Sequence, residues 1–269
     1  MTEVGSIHAT VAEGHASVVI DNPSQRNAVT RAMCVELQRL MPQLDADPAI
    51  TVVTLRGAGT TFSAGASIGD LSAVLMDEQA DGTRVDHLSR ADAAITALSK
   101  PTIALVDGAC VGGGWQLASA CDFIVASARS TFAITPARLG IIYPRPGIER
   151  LVRLVGPASA KLILFAAESS TAARAAELGL VAEVVADADF DDRARRLVRT
   201  IQSRSQFSTH TLKRLVDGAL ASESGDGTDI DREWAAAWTA MTEGPDMAVG
   251  VSAFLNREAP QFSWKPEAP

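Results

Sequence analysis

The chain has 269 residues, enough to bury one sizeable core, and its 47% hydrophobic and 21% charged residues describe an ordinary soluble globular protein. A formal net charge of −8 excludes nucleic acid and anionic membrane as partners held by bulk attraction, although a local basic patch can still grip an anionic ligand. Cys34, Cys110 and Cys121 are odd in number and lie in apolar contexts, so buried reduced thiols are expected. Residues 1–17 lack a basic-then-apolar signal, and no run reaches the ~18 apolar residues of a membrane span, so a cytoplasmic protein is expected.

Residues 17–20 read as a buried strand, ended by the turn-forming Asp21-Asn22-Pro23. Thr30 is the expected N-cap of the next helix, whose Met33, Leu37, Leu40, Met41 and Leu44 fall on one face and which Pro48 ends. A strand over 50–55 is rich in β-branched residues, and a helix joining two strands suggests a βαβ unit. The loop over 57–69 is rich in small residues, which let a ligand approach the backbone closely; an ordinary tight connection has the same composition. Residues 71–84 are charged and irregular, in the manner of a mobile flap. Leu88, Ala91, Ile95 and Leu98 mark an amphipathic helix facing the core.

Pro101 starts the apolar run 102–106, which leads into Val111-Gly112-Gly113-Gly114-Trp115-Gln116-Leu117-Ala118. A strand that runs through glycines into a helix, here over 115–120, presents free backbone N–H groups at the positive end of the helix dipole, a device that stabilises negative charge. Strands follow over 122–126 and 131–133. Residues 135–150 hold Pro136, Gly140, Pro144, Pro146 and Gly147 and are expected as a shaped loop. Helices resume over 158–167 and 172–178, the second capped by Ser170 or Thr171 and stopped by Gly179, before a last strand over 181–185. From Phe190 onward the pattern is helical only, with stripes such as Ile230, Trp234, Trp238 and Met241 and a polar linker over 222–228. The expected architecture is an α/β core over residues 1–195 and a helical oligomerisation region over 196–269.

Four stretches, in order, resemble the crotonase (enoyl-CoA hydratase/isomerase) superfamily: Asn22-Pro23 with Arg26-Asn27-Ala28, Phe62-Ser63-Ala64-Gly65-Ala66, residues 108–122 around the three glycines, and residues 172–185. The tail from Glu243-Gly244 to Ala253-Phe254-Leu255 is similar too, so the resemblance covers nearly the whole chain. It implies a crotonase-like spiral of ββα units with a C-terminal helical region, assembled as a homotrimer or homohexamer. It implies an acyl-CoA substrate, with coenzyme A present only as part of that substrate and no separate cofactor. The oxyanion hole would fall on the backbone N–H groups of Ala66 and Gly113, worth most when the thioester oxygen becomes enolate-like. The nucleotide end of coenzyme A would lie at Arg26, Ala28, Ser63, Ala64 and Ile68; Arg26 either contacts phosphate or is simply solvated.

The pattern breaks where hydratases of the superfamily carry two glutamates to hold and split a water molecule. The first position corresponds to Gln116 and the second falls on or beside Pro136. Glutamine can orient a water but cannot take up a proton at neutral pH, and proline can do neither, so hydration of the usual kind is not expected. Ser67 replaces the usual aspartate, and Asp70 and Glu149 are the nearest acids in sequence that could substitute. Residues 131–148 are most similar to the methylmalonyl-CoA decarboxylase branch, which has a functional tyrosine at the position of Tyr143, the only tyrosine here. That branch's histidine corresponds to Ala66, and a packed tyrosine with a satisfied hydroxyl is the other reading of Tyr143. Trp115, Pro136, Leu139 and Ile141 would line a pocket that desolvates a departing carboxylate.

The expectation is therefore an acyl-CoA lyase (decarboxylase-like) or isomerase acting through an enolate; the alternative is a catalytically silent acyl-CoA-binding paralogue. A dinucleotide site is disfavoured because the glycines run Gly-Gly-Gly, not Gly-x-Gly-x-x-Gly. No metal is expected, since His8, His15, His87 and His210 lack ligand spacing.

Overall fold

A computed structural model describes residues 5–223 and 229–265. The chain begins with an antiparallel hairpin, β1 (Ser6–Ala12) and β2 (His15–Asp21). β2 alternates, burying Ala16, Val18 and Ile20, the period expected of a half-buried strand. β1 buries only Ile7 and lies at the sheet edge, so its residues carry no alternation for sequence reading to find. Helix α1 (Arg31–Ala46) starts where expected: Thr30 Oγ1 accepts the Met33 N–H at 3.3 Å, and Met33, Leu37, Met41 and Leu44 go to the core. β3 (Val52–Gly57) follows.

Residues 71–84 are more regular than a flap: they form the short helix α2 (Leu71–Leu75) and the hairpin β4 (Asp77–Glu78) with β5 (Arg84–Val85). Helix α3 (His87–Thr96) leads to β6 (Thr102–Val106), buried at every position, then β7 (Ala109–Val111) and helix α4 (Gly113–Ser119). β8 (Phe123–Ser127) and β9 (Thr131–Ala133) come next. The shaped loop expected over 135–150 is largely helical: α5 (Pro136–Leu139) precedes the long α6 (Arg145–Ala166), bent at Gly156, whose φ is 74°. Pro146 fits in the first turn of α6 because N–H groups there have no intrahelical acceptor to lose. β10 (Ser170–Thr171), α7 (Ala172–Glu177) and β11 (Glu183–Val185) complete the core, with Thr171 as the cap of α7. Four helices close the chain: α8 (Phe190–Gln202), α9 (Gln206–Glu223), α10 (Ile230–Glu243) and α11 (Pro245–Asn256). Of the polar linker expected over 222–228, residues 224–228 lie outside the described residues.

The larger sheet has the order β1-β2-β3-β6-β8-β11, parallel throughout except at β1. A second sheet runs β10-β9-β7, with β7 and β9 parallel. Two isolated parallel bridges, Val29 with Ala66 and Ser63 with Cys110, continue that second ladder into the earlier turns. Each turn thus places one strand in the large sheet, a short extended segment in the second ladder, and then a helix. This is the ββα spiral, and the second ladder carries the glycine loops side by side.

Two apolar clusters hold the spiral. One gathers Trp115, Phe62, Leu37, Ile20 and their neighbours between the sheets and helices. The other sets Val52, Ile103, Leu105 and Val125 against Phe190, Ala194 and Val198 of α8. A boundary at 195/196 therefore cuts through α8, which packs on the sheet as part of the core; the last three helices are the appendage. All three cysteines are free and buried, and burial pushes the Cys34 thiol up to about 12. Among the described residues no helix is long and apolar enough to cross a membrane.

Candidate active site

The second ladder decides where the two small-residue loops meet. At the Val29–Ala66 bridge, Val29 N–H donates to Gly65 O at 2.7 Å and Ser67 N–H donates to Val29 O at 2.9 Å. In a parallel ladder this pattern turns the N–H of the residue between them, Ala66, to the other side. Gly65 makes the bend at φ 105°, a region costly for any residue with a Cβ. Gly113 opens α4, so its N–H has no intrahelical acceptor. A Cβ built on Gly113 would stand 3.1 Å from Ala66 N, which puts the two amides side by side. Neither N–H has an acceptor among the described residues.

The turn before Gly113 is held from three directions. Gly112, at φ 49°, donates its N–H to Ala133 O at 2.8 Å. Its carbonyl accepts the Gln116 N–H at 3.1 Å and the Tyr143 hydroxyl at 2.7 Å. Tyr143 is buried, its ring 6.3 Å from that of Trp115, and Gly147 leaves the room the ring fills: a Cβ there would lie 2.4 Å from Tyr143 Cε1. Burial holds the Tyr143 phenol well above its ordinary pKa. A hydrogen-bonded hydroxyl is common to a packed tyrosine and to one held in place for chemistry, so both readings of Tyr143 carry forward.

The two amides open onto a cavity of about 580 Å³. Ala66, Gly113, Tyr143, Pro136, Leu139 and Ile141, all singled out from the sequence, line it, as do Ala64 and Ile68. Leu71 and Leu75 of α2, Leu88 of α3 and Ile142 complete much of the apolar wall. Sequence reading misses these because their spacing is equally that of core leucines. Arg138 is the one charged side chain among the described lining residues; Tyr143, Thr135 and Ser169 add hydroxyls.

Trp115 requires correction as a pocket residue. All of α4 is buried; Trp115 is fully enclosed in the core and does not reach the cavity. Gln116 is 0% exposed and also absent from the cavity wall, yet both of its side-chain polar atoms are buried without a partner among the described residues, as is Trp115 Nε1. Neither acid proposed as a replacement faces the cavity. Asp70 accepts the Arg31 N–H at 2.8 Å, and Glu149 is paired with Arg145 at 2.7 Å on the outer face of α6.

The residues that the resemblance assigns to the nucleotide end of coenzyme A also build the loop. Ser63 is fully buried, donating to Asn27 O at 2.7 Å and accepting the Gly65 N–H at 3.1 Å. Ala28 is buried; Arg26 is exposed, its guanidinium outside the cavity wall, and its carbonyl accepts the Ala64 N–H at 2.9 Å. Asn27, given no role of its own in the sequence reading, ties the loop together. Its side chain donates to Ala58 O at 2.8 Å and Thr61 O at 2.7 Å and accepts the Asn22 N–H at 3.0 Å. Its φ is 58°, and asparagine tolerates left-handed backbone better than most residues, so an asparagine just past a turn-forming proline is the available signal. Ser67, in the place of the usual aspartate, donates to Gln25 Oε1 at 3.0 Å.

A ββα spiral with adjacent free amides over an apolar cavity defines the class. Residues 10–265 match the enoyl-CoA hydratase/isomerase family, and the chain belongs to it. It is 32% identical to the crotonyl-CoA hydratase of Syntrophomonas wolfei, over 92% of this chain and 94% of that one. It is 31% identical to a mevalonyl-coenzyme A hydratase of Aspergillus fumigatus, over 93% and 90% of the two chains. A crystal structure of an enoyl-CoA hydratase/isomerase family member superposes with a TM-score of 0.95 at 59% identity, covering 99% of this chain and all of the other.

Proposed function

We propose that this member of the family stabilises an acyl-CoA enolate between the N–H groups of Ala66 and Gly113, and that it is a decarboxylase-like lyase or an isomerase and not an ordinary hydratase. The single observation that carries this is the adjacency of two acceptor-less amides at the wall of an apolar cavity. An oxygen placed between them would take two hydrogen bonds at the moment its charge grows, against mostly apolar walls. In decarboxylation the electron pair of the departing C–C bond moves onto the thioester, carbon dioxide leaves, and the enolate oxygen rests on the two amides. Protonation at the α-carbon completes the turnover, and no general base is needed to form the enolate. The absence of any carboxylate from the described cavity wall supports this over hydration, where one group must take a proton and another must give one.

Tyr143 acts here through Gly112, fixing the turn that aims the Gly113 amide; Gln116 is one residue type short of the acid a hydratase needs. The same missing carboxylates favour a second reading, a catalytically silent acyl-CoA-binding paralogue. Purified protein offered crotonyl-CoA, a 3-enoyl-CoA and methylmalonyl-CoA separates the readings. Turnover of the second or third supports the proposal, binding of all three with no turnover supports the silent paralogue, and fast hydration of crotonyl-CoA insensitive to Gln116→Ala overturns the site reading. Assembly as a homotrimer or homohexamer in the cytoplasm belongs to the same proposal. It is supported by the apolar side chains exposed on the C-terminal helices, among them Trp234, Trp238, Phe254 and Leu255.

A further inference from the structure

Arg138 has no part in enolate formation; it is exposed to solvent, and what sets it apart is its place at the cavity. It is the one charged side chain among the described residues lining the cavity, and it makes no ion pair or side-chain hydrogen bond with any of them. The acid closest to it along the chain, Glu149, is already committed to Arg145 and Arg153. Arg150, the next arginine along α6, is paired with Asp92 at 2.8 Å. The cavity that Arg138 lines is otherwise mostly apolar, with Ile68, Leu71, Leu75, Leu139, Ile141 and Ile142 among its walls and only the hydroxyls of Thr135, Tyr143 and Ser169 as side-chain acceptors. In a chain with 32 acidic and 24 basic residues, a cavity whose described lining holds no acid and one unpaired guanidinium is locally positive.

We propose that Arg138 reads a carboxylate at the far end of the acyl chain, so that the substrate class is an acyl-CoA bearing a distal carboxylate. This rests on the acyl-CoA reading of the Ala66–Gly113 amides. Arg138 belongs to the segment that also supplies Pro136, Leu139 and Ile141, and that segment is hydrogen-bonded to the Gly112 turn through Ala133 O and the Tyr143 hydroxyl. It therefore stands on the acyl side of the cavity, whereas the loop over 22–28, with Arg26, is the one assigned to the nucleotide. A guanidinium beside a carboxylate that must leave as carbon dioxide would hold the very charge the reaction removes. The carboxylate that Arg138 takes is accordingly one that stays, and its planar two-pronged shape suits a fork of parallel N–H donors.

The test is calorimetric titration of the full chain with butyryl-CoA, succinyl-CoA and free coenzyme A, repeated on Arg138→Gln and Arg138→Lys. The expected result is a preference for succinyl-CoA over butyryl-CoA in the native protein. Arg138→Gln should abolish that preference, weakening succinyl-CoA binding about 10- to 100-fold, the range of a charge-assisted hydrogen bond, while Arg138→Lys retains part of it. An equal loss across all three ligands would show that Arg138 binds a coenzyme A phosphate and would overturn the proposal, as would a native protein indifferent to the distal carboxylate. If the native protein bound none of the three, the acyl-CoA reading itself would fall, and this inference with it. If it bound all three equally well, only the inference would fall.

Discussion

Gly113→Ala separates a catalytic amide from a merely well-packed glycine. The added methyl would stand 3.1 Å from Ala66 N, 3.2 Å from Leu88 Cδ2 and 3.6 Å from Ala66 Cβ. An oxygen shared by the two amides needs to sit about 2.7–3.1 Å from each donor, and a methyl 3.1 Å from Ala66 N crowds its approach. Stability should change little. Gly113 is helical, so alanine gains about 0.8–1 kcal/mol of helix propensity, set against about 1–3 kcal/mol for the tight contacts. Leu88 Cδ2 is the free end of a side chain and can swing; Ala66 N is backbone and cannot. The net loss expected is below about 2 kcal/mol, while kcat/KM falls at least about 10²–10³-fold, the effect of losing one such donor. Two assays read this out: turnover of whichever acyl-CoA the native enzyme accepts, and the ultraviolet enolate band of bound acetoacetyl-CoA, which needs no turnover. Gly114→Ala is the contrast, because its Cβ would meet Ser63 Cβ at 2.7 Å and Ser63 O at 2.9 Å, and it should damage folding itself. A folded Gly113→Ala protein with activity within twofold of native and an undiminished enolate band would refute the oxyanion-hole assignment.

Three further outcomes follow from the packing and hydrogen bonding around the site. Asn27→Ala strands the Asn22 N–H and the Ala58 and Thr61 carbonyls, and should lower unfolding free energy in urea by about 2–4 kcal/mol; a change under about 1 kcal/mol would mean the loop holds itself. Asp92→Ala leaves Arg150, the link from α6 to α3, without its carboxylate in a buried place. The expected destabilisation is about 3–5 kcal/mol, read from the urea midpoint at constant slope. Hydrogen bonds from His87 and Arg31, in that order, hold the Asp77 carboxyl down at about 2. A carboxyl depressed on folding adds stability at pH values above its unfolded pKa of about 3.9, and that contribution disappears as pH falls through about 2. Urea titrations across that window should therefore show Asp77→Asn less acid-sensitive than the native protein, and parallel acid profiles would remove Asp77 from the linkage.

Much of the site is legible in the sequence because its determinants are local. Glycine at 112, 113 and 114 and at 65 is demanded by backbone conformation or by close approach, and such demands leave their mark on the order of residues along the chain. Pro136, Leu139, Ile141 and Tyr143 are found the same way, through a short segment of distinctive order. Trp115 goes astray because a helix residue next to a glycine loop can face either the ligand or the core, and only the packing of all seven residues of α4 settles which. Leu71, Leu75, Leu88 and Arg138 are invisible for the opposite reason: nothing in their own neighbourhood distinguishes a cavity wall from a core or a solvated surface.

By itself the sequence determined the elements whose signals lie within a turn or two. These are the Thr30 and Thr171 caps, the alternation in β2, the uninterrupted apolar run of β6, and the glycines that free the backbone. Tertiary structure alone decided that the N–H of Ala66 turns toward that of Gly113, because that depends on the Val29–Ala66 and Ser63–Cys110 bridges, pairings between residues 37 and 47 positions apart. It also decided that α8 belongs to the core, that β1 exists at all, and that no acid reaches the described cavity wall. Hydrogen-bond direction in a ladder and the facing of a side chain are properties of two segments brought together, and one segment's sequence cannot carry them.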